Sequence, residues 1–193
     1  MHPLVVRAAK GELPEWSCAG APRREHMRRV ADLMEHWARS LELDAGEVVR
    51  WRAAGYLHDV LRDGDPSELR TMIADEELRD LPDPVLHGPA AADRLEEEGV
   101  GDSELILAVA FHTIGHPRLG RLGRALYTAD FLEPGRDFPG DPRAELRKRM
   151  PHAAEEVVIE VARARIGRTL DAGRSLRRES VAFWNGLVAL AGR

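Results

Sequence analysis

Cysteine and long apolar runs are scarce in this 193-residue chain. Cys18 is the single cysteine, which excludes an internal disulfide and a cysteine-based zinc cluster. Any metal must therefore be held by imidazole and carboxylate groups. No apolar run approaches the roughly 20 residues that span a bilayer, and the first ten residues lack the sustained apolar core of a secretory peptide. These absences predict a cytoplasmic protein without a membrane partner.

Positive charge is in deficit, and lysine is almost missing. The net charge is −5, which argues against a large nucleic-acid-binding surface, so no nucleic-acid partner is expected. Of the 28 basic residues only Lys10 and Lys148 are lysines. We expect most of the arginines on solvated faces, with a small minority available for a local basic pocket.

Apolar residues recur at helical spacing along most of the chain, while strand-like alternation and fixed-period repeats are missing. The fold class predicted is therefore all-α. Residues 1–22 are expected to form an irregular lead-in with one short helical turn, and residues 23–193 a helical domain. Asp44 with Glu47 makes a capping box at the start of the second predicted helix. The predicted helices cover 23–43, 44–60, 66–77, a segment from about 84, one from Asp102 or Ser103, one from Pro117, 153–170 and 179–190.

Six histidines and aspartates fall on apolar helix faces or at helix ends in this prediction. His26, His112 and Asp130 extend apolar stripes, and His58, Asp59 and His87 lie near helix termini. A lone histidine of this kind is more often a hydrogen-bonded core group than a ligand, but six together favour a metal site. Four imidazoles with two carboxylates suit iron, manganese, cobalt or zinc better than magnesium or calcium.

The order of these residues resembles the HD-domain superfamily of metal-dependent phosphohydrolases. The local blocks His112-Thr113-Ile114-Gly115 and Ala129-Asp130-Phe131-Leu132-Glu133-Pro134-Gly135-Arg136 are similar to those of the bacterial HD-domain symmetrical diadenosine tetraphosphate hydrolases. The similarity covers about residues 23–138, with a fainter echo in Phe183-Trp184-Asn185. It implies a compact HD-domain helical bundle with a metal core at 23–138 and additional C-terminal helices at 152–191.

The resemblance also implies a site with two metal ions, with iron favoured and manganese, cobalt, nickel or zinc as alternatives. His26, His58, Asp59 and Asp130 would hold one ion, and His87, His112 and the bridging Asp59 the other. The implied reaction is symmetrical hydrolysis of diadenosine tetraphosphate, or another dinucleoside polyphosphate, into two nucleoside diphosphates. A hydroxide that bridges the metals would be the nucleophile.

The polyphosphate of such a substrate needs guanidinium, hydroxyl and main-chain donors. Arg62, Thr113, Gly115 and Arg136 are the predicted substrate-binding residues, and Arg62 joins Asp59 as a predicted catalytic residue. The family usually has lysine at the position of Arg62. Arginine keeps the charge but replaces the compact ammonium group by a planar guanidinium group. The alternative for Arg62 is a solvated residue after a helix end. Arg29 could anchor either Asp59 or Asp130.

Two other functions stay open from the residues alone. The same ligands could serve a nucleotidase or phosphoesterase that acts on another nucleotide, because ligands do not select the leaving group. A nucleotide sensor without catalysis could keep the same helical scaffold. A small-molecule nucleotide is the expected partner in each case, and a homodimer is the oligomer considered.

Overall fold

The computed structural model describes residues 1–136 and 141–192, without the side chain of Arg136. Helices make up the regular structure of these residues and no strand occurs among them, so the all-α prediction is confirmed. The α-helices are α1 (Pro3–Ala9), α2 (Ala21–Ser40), α3 (Ala45–Leu57), α4 (Pro66–Met72), α5 (Glu76–Arg79), α6 (His87–Glu97), α7 (Ser103–Phe111), α8 (Arg121–Leu132), α9 (Arg143–Arg149), α10 (Ala154–Asp171) and α11 (Arg178–Ala191), with short 3-10 helices at Asp83–Val85 and Pro134–Arg136.

Aspartate side chains begin several of these helices by accepting bonds from the otherwise unpaired N–H groups of the first turn. Asp44 accepts from the Glu47 N–H at the start of α3, as the capping box predicted. Asp102, the first of the two candidates at the start of α7, accepts from the Leu105 N–H. These caps fix the residues at which α3 and α7 begin. His58 and His112 lie at the C-terminal ends of the same two helices, so the caps help to set their positions.

The structure corrects several predicted elements. The lead-in is not irregular throughout, because α1 forms two helical turns that bury Leu4, Val5 and Ala8. The single helix predicted over 66–77 is two helices, since Ile73 is extended and Asp75 caps a new helix. The helix expected from Pro117 begins only at Arg121, and α9 was not predicted at all. The predicted end of the metal core at residue 138 lies outside the described residues.

Close backbone contacts between helices bring the predicted site residues together. A Cβ on Gly55 of α3 would lie 2.4 Å from the Cα of Ala31 in α2, and one on Gly88 of α6 would lie 2.7 Å from the Ala110 carbonyl oxygen of α7. Only glycine permits these approaches. The C-terminal α10 packs on α8, and α11 packs on α10. None of the described helices is long and apolar enough to cross a membrane.

Candidate metal centre

Five helices deliver the six predicted ligands to one buried cluster. His26 lies on α2 and Asp130 on α8, while His58 and His112 cap the C-terminal ends of α3 and α7. Asp59 follows α3, and His87 is the first residue of α6. The exposed fraction is 8% for His26 and no more than 4% for His58, Asp59, His87 and His112. Asp130 is half-buried, with 22% of its side chain exposed.

The two oxygens of Asp59 face different pairs of imidazoles. Oδ1 lies 3.1 Å from His87 Nε2 and 3.5 Å from His112 Nε2. Oδ2 lies 3.5 Å from His58 Nε2 and 3.7 Å from His26 Nε2. Asp130 Oδ1 lies 3.1 Å from His26 Nε2, on the side of Oδ2. The donor atoms therefore form two groups that meet at one carboxylate.

The spacing within each group fits a metal ion. His26 Nε2 and His58 Nε2 are 3.3 Å apart, and His87 Nε2 and His112 Nε2 are 3.1 Å apart. Two nitrogen donors about 2.1 Å from a shared ion and at right angles to each other lie about 3 Å apart. The candidate ligand atoms of His26, His58 and Asp130, which belong to one group, all lie within 4.8 Å of one another. Those of His58, Asp59 and His112 also lie within 4.8 Å of one another and connect the two groups. Nitrogen and carboxylate donors in these numbers suit a transition metal.

Hydrogen bonds on the far side of two rings leave Nε2 free for a ligand. His58 Nδ1 lies 2.9 Å from the Gly55 carbonyl oxygen, and His112 Nδ1 lies 2.8 Å from that of Val109. A carbonyl can only accept, so Nδ1 carries the proton in each ring and Nε2 presents its lone pair to the cluster. Bonds of this type orient metal-binding histidines.

The histidines differ in their affinity for a proton. Burial lowers the pKa of His87 to about 4 and outweighs the opposing hydrogen bond with Asp59, while the charge of Arg62 acts in the same direction as burial, so this ring is neutral at pH 7. Burial also disfavours the charged form of His26, but hydrogen bonds to Asp130 and Glu133 outweigh it and raise the pKa to about 9. Without metal His26 therefore holds a proton that a bound ion must displace.

Two arginines without a predicted role hold the carboxylates. Arg23 donates to Asp59 Oδ2 at 2.7 Å, and Arg165 donates to Asp130 Oδ2 at 2.7 Å. Burial alone would raise the pKa of both aspartates, but the neighbouring imidazoles and, at Asp130, the charge of Arg165 hold each pKa well below the usual range. Both groups are thus ionised and ready to bind a cation. Neither arginine carries a sequence signal that separates it from the many surface arginines.

Glu133 is a third residue without a predicted role. Its carboxylate lies 3.3 Å from His26 Nδ1 and accepts from Arg29 Nε at 2.5 Å and from the Gly135 N–H at 2.8 Å. Burial opposes its ionisation, yet these three partners lower its pKa to about 2. Arg29 was expected to anchor Asp59 or Asp130, and the structure pairs it instead with Glu133. The sequence signal for Glu133 was its place in the block from Ala129 to Arg136, where no role was assigned to it.

The predicted substrate-binding residues lie at different distances from this cluster. Thr113 Oγ1 lies 3.1 Å from His112 Nε2. The guanidinium charge of Arg62 acts on His87, and its side chain makes no hydrogen bond or ion pair with other described residues. Gly115 has a positive φ of 75°, and a Cβ there would lie 2.3 Å from the ring of Phe183, so its contact is with α11. The side chain of Arg136 lies outside the described residues.

A polar cleft opens beside Asp130 and Glu133. Its volume is about 280 Å³ and arginines line much of its wall. The guanidinium of Arg168 stacks 4.6 Å from the ring centre of Phe131, and that of Arg165 stacks 4.4 Å from that of Tyr127. The cleft therefore places fixed positive charge next to Asp130, the one candidate ligand among its described lining residues. The lining residues are Thr113, Asp130, Phe131, Glu133, Arg143, Arg165, Arg168 and Thr169.

Four imidazoles and two carboxylates, gathered at the ends and inner faces of helices, define a candidate metal site in an all-α fold. The HD-domain family model matches residues 23–162. The chain belongs to the HD-domain family and is a hydrolase of that family.

Relatives of the chain carry a more specific name. A Staphylococcus aureus protein named symmetrical bis(5'-nucleosyl)-tetraphosphatase is 33% identical over 139 residues, which are 69% of this chain and 67% of the relative. A protein of the same name from Halalkalibacterium halodurans is 35% identical over 92 residues, 45% of this chain and 49% of the relative. A crystal structure from Clostridium acetobutylicum superimposes with a TM-score of 0.74 at 25% identity and covers 96% of both chains. That protein is described as a predicted HD superfamily hydrolase involved in NAD metabolism.

Proposed function

We propose that this protein hydrolyses dinucleoside polyphosphates, with diadenosine tetraphosphate cleaved symmetrically into two ADP. The observation that carries the proposal is Asp59, whose two oxygens each face a separate pair of imidazoles beside a cleft lined by arginines. The relatives named as symmetrical tetraphosphatases support the choice of substrate.

In this proposal one ion is held by His26, His58, Asp59 and Asp130, and the other by His87, His112 and Asp59, with iron as the native metal. When bound, two such ions activate water for attack on phosphorus and neutralise charge on phosphoryl oxygens. Arg23 orients Asp59, and Arg165 orients Asp130 and helps to keep it ionised.

The remaining groups bind the phosphate chain. Thr113 presents a hydroxyl beside His112, and Arg62 presents a guanidinium with no competing carboxylate partner among the described residues. Together with Arg136, which the sequence predicts for the same role, they would fix a phosphorus atom between the two ligand groups. Guanidinium groups bind phosphate oxygens in pairs, which adds direction to the charge.

The test is a turnover assay with purified protein loaded with iron under reducing conditions. Diadenosine tetraphosphate is supplied and the products are separated by chromatography. ADP as the single nucleotide product supports the proposal. AMP with ATP contradicts symmetrical cleavage, and persistent absence of any product contradicts the substrate. Asp59→Ala is the matched variant and is expected to lose the activity.

A second candidate, hydrolysis of a different nucleotide, is favoured by the description of the Clostridium acetobutylicum relative. A panel with dinucleoside polyphosphates, NAD-like dinucleotides and nucleoside monophosphates in one assay separates the two by relative kcat/KM. Nucleotide binding without turnover of any member of the panel would favour a sensor.

A further inference from the structure

A second cavity borders the candidate metal centre on the side of the C-terminal helices. Its volume is about 570 Å³, and it lies between residues 82–85, the segment after α7 and the turn that joins α10 to α11. Thr113, Arg165 and Thr169 line this cavity and also line the polar cleft. The two spaces therefore adjoin at these three residues, and Thr113 and Arg165 also contact His112 and Asp130.

The lining of this second cavity differs from that of the polar cleft. Val85, Ile114, Ile166, Leu176 and Phe183 give it a mainly apolar surface. Polar residues also line it, and Arg165 and Arg177 each have a buried Nε without a hydrogen-bond partner among the described residues. The Glu179 Oε2 lies 4.0 Å from Arg177 Nε. A buried donor without a partner is costly, which is a reason to look for a ligand that would satisfy it.

We propose that this apolar cavity binds the nucleoside of one half of the substrate, while the polar cleft binds phosphates. The inference rests on the proposed function and names the subsite that recognises the nucleoside. A nucleobase has two apolar faces and a polar edge, which matches an apolar cavity with a few buried donors. Pockets for small ligands measure about 300–1,000 Å³, and this cavity falls within that range.

The position of the cavity fits the geometry of such a substrate. Thr113 Oγ1 lies 3.1 Å from His112 Nε2, so a phosphate held beside the imidazoles lies next to the cavity wall. A nucleoside on the far side of Thr113 and Arg165 is then joined to the centre through its own phosphate chain. Arg165, Arg174 and Arg177 also line the cavity, so positive charge is available for the phosphate attached to the nucleoside.

Gly115 acquires a role in this arrangement. Its φ is positive, and a Cβ added at this position would lie only 2.3 Å from the ring of Phe183. Phe183 in turn lines the cavity and contacts Tyr127 edge-on, with 5.2 Å between ring centres. Gly115 therefore shapes the nucleoside cavity from behind and does not need to touch phosphate.

The test fills the cavity and compares two ligands. Ile166→Trp places an indole in the cavity, and Ile159→Trp makes the same change two turns earlier on α10, at a partly buried position that lines no described cavity. Binding of ADP and of inorganic phosphate to the metal-loaded proteins is measured by calorimetry. We expect Ile166→Trp to weaken ADP binding by about tenfold or more and to leave phosphate binding within about threefold, because base contacts are worth about 1–3 kcal/mol. Ile159→Trp should bind both ligands as the unmodified protein does.

Equal ADP affinity in Ile166→Trp and the unmodified protein would overturn the inference. Leu176→Trp provides a second variant from the α10–α11 turn in case Ile166→Trp does not fold, and helical circular dichroism checks folding of each. The binding readout is independent of turnover. If the unmodified protein does not cleave diadenosine tetraphosphate, the proposed reaction is wrong. A selective loss of ADP binding in Ile166→Trp would still support the nucleoside cavity.

Discussion

The candidate ligands Asp59 and Asp130 each receive a guanidinium from outside the cluster of imidazoles. Arg165 makes the larger set of bonds, since it donates to Asp130 Oδ2 at 2.7 Å, to the Tyr127 carbonyl at 2.9 Å and to the Thr113 carbonyl at 3.1 Å. It therefore joins α10, α8 and the segment after α7 at a single point. Its action on a bound metal runs through Asp130, which makes it a positioning residue.

Arg165→Lys should weaken binding of the metal ion held by Asp130 by about 10- to 100-fold, the usual effect of losing a residue that orients a ligand. Lysine keeps the positive charge, but its single ammonium group cannot make all the hydrogen bonds of the planar guanidinium. Competition with a chelator of known affinity measures the change. Arg163→Lys, an exposed position on the same helix, is the control. Unchanged metal affinity in Arg165→Lys would contradict the positioning role.

His26 makes metal binding depend on pH. Its pKa is about 9 because Asp130 and Glu133 outweigh the opposing effect of burial, and only the neutral ring can bind an ion. Below pH 9 each unit of increasing pH should raise the apparent affinity for the ion at His26 by about tenfold, until the pKa is reached. Chelator competition at pH 6.5, 7.5 and 8.5, corrected for the chelator's own protons, measures this slope. A flat profile would show that His26 is not a ligand or is not protonated without metal.

The sequence predicted the residues that carry a positional signal and missed those that do not. His26 and Asp130 extend apolar stripes, where a polar group must have a reason to be buried. Arg23 and Arg165 sit among many other arginines with the same local surroundings, and their partners are distant in the chain. Glu133 pairs with Arg29 across 104 positions, which no local pattern reveals.

At the scale of elements, the contact between α2 and α3 sets the position of His58 relative to His26. Gly55 is central to it, since a Cβ would lie 2.4 Å from the Ala31 Cα and 2.6 Å from its nitrogen. Gly55 also accepts the bond from His58 Nδ1 through its carbonyl. Any side chain at this position must push the two helices apart.

Gly55→Ala should therefore destabilise the protein by about 1–3 kcal/mol or more, as expected for overpacking against backbone. Gly167→Ala is the matched control, because Gly167 lies inside α10 and a Cβ added there would meet nothing within 4 Å. There alanine should stabilise by about 0.5–1 kcal/mol through the lower entropy of the unfolded chain. Urea unfolding of both variants gives the comparison. Similar effects of the two changes would contradict the close helix contact.

Helix starts were predictable where a side chain marks them, and helix packing was not. Asp44 and Asp102 directly precede α3 and α7, and each accepts a hydrogen bond from the N–H group three residues later, as expected of an N-cap residue. For residues 1–22 the sequence predicted only one short helical turn, because glycines and prolines follow α1 closely, although the apolar side of α1 packs against α3. α9 is charged along most of its length, so it lacks the apolar stripe that identifies a helix.

For the whole molecule, the candidate centre is a point where separate parts of the chain are tied together. Its six ligands come from α2, α3, α6, α7 and α8 or the residues directly after them. Arg165 adds α10, which the HD-domain match includes only as far as residue 162. An ion at this point would therefore restrain nearly the whole fold, not one local segment.

Metal loading should raise the melting temperature by about 5–10 °C when the free ion exceeds its dissociation constant about 100-fold. Binding at that excess stabilises the native state by about 2.7 kcal/mol, and a chain of this size gains about 2–4 °C per kcal/mol. Asp59→Asn keeps the size of the side chain and removes the charge that both ligand groups share. Each protein is compared with its own metal-free form by calorimetry. The unmodified protein should show the shift and Asp59→Asn should lose most of it, because an amide oxygen is a weak substitute for a bridging carboxylate. An equal shift in both proteins would show that the stabilising ion does not bind at Asp59. The proposed reaction depends on an ion at Asp59, so that result would contradict it as well.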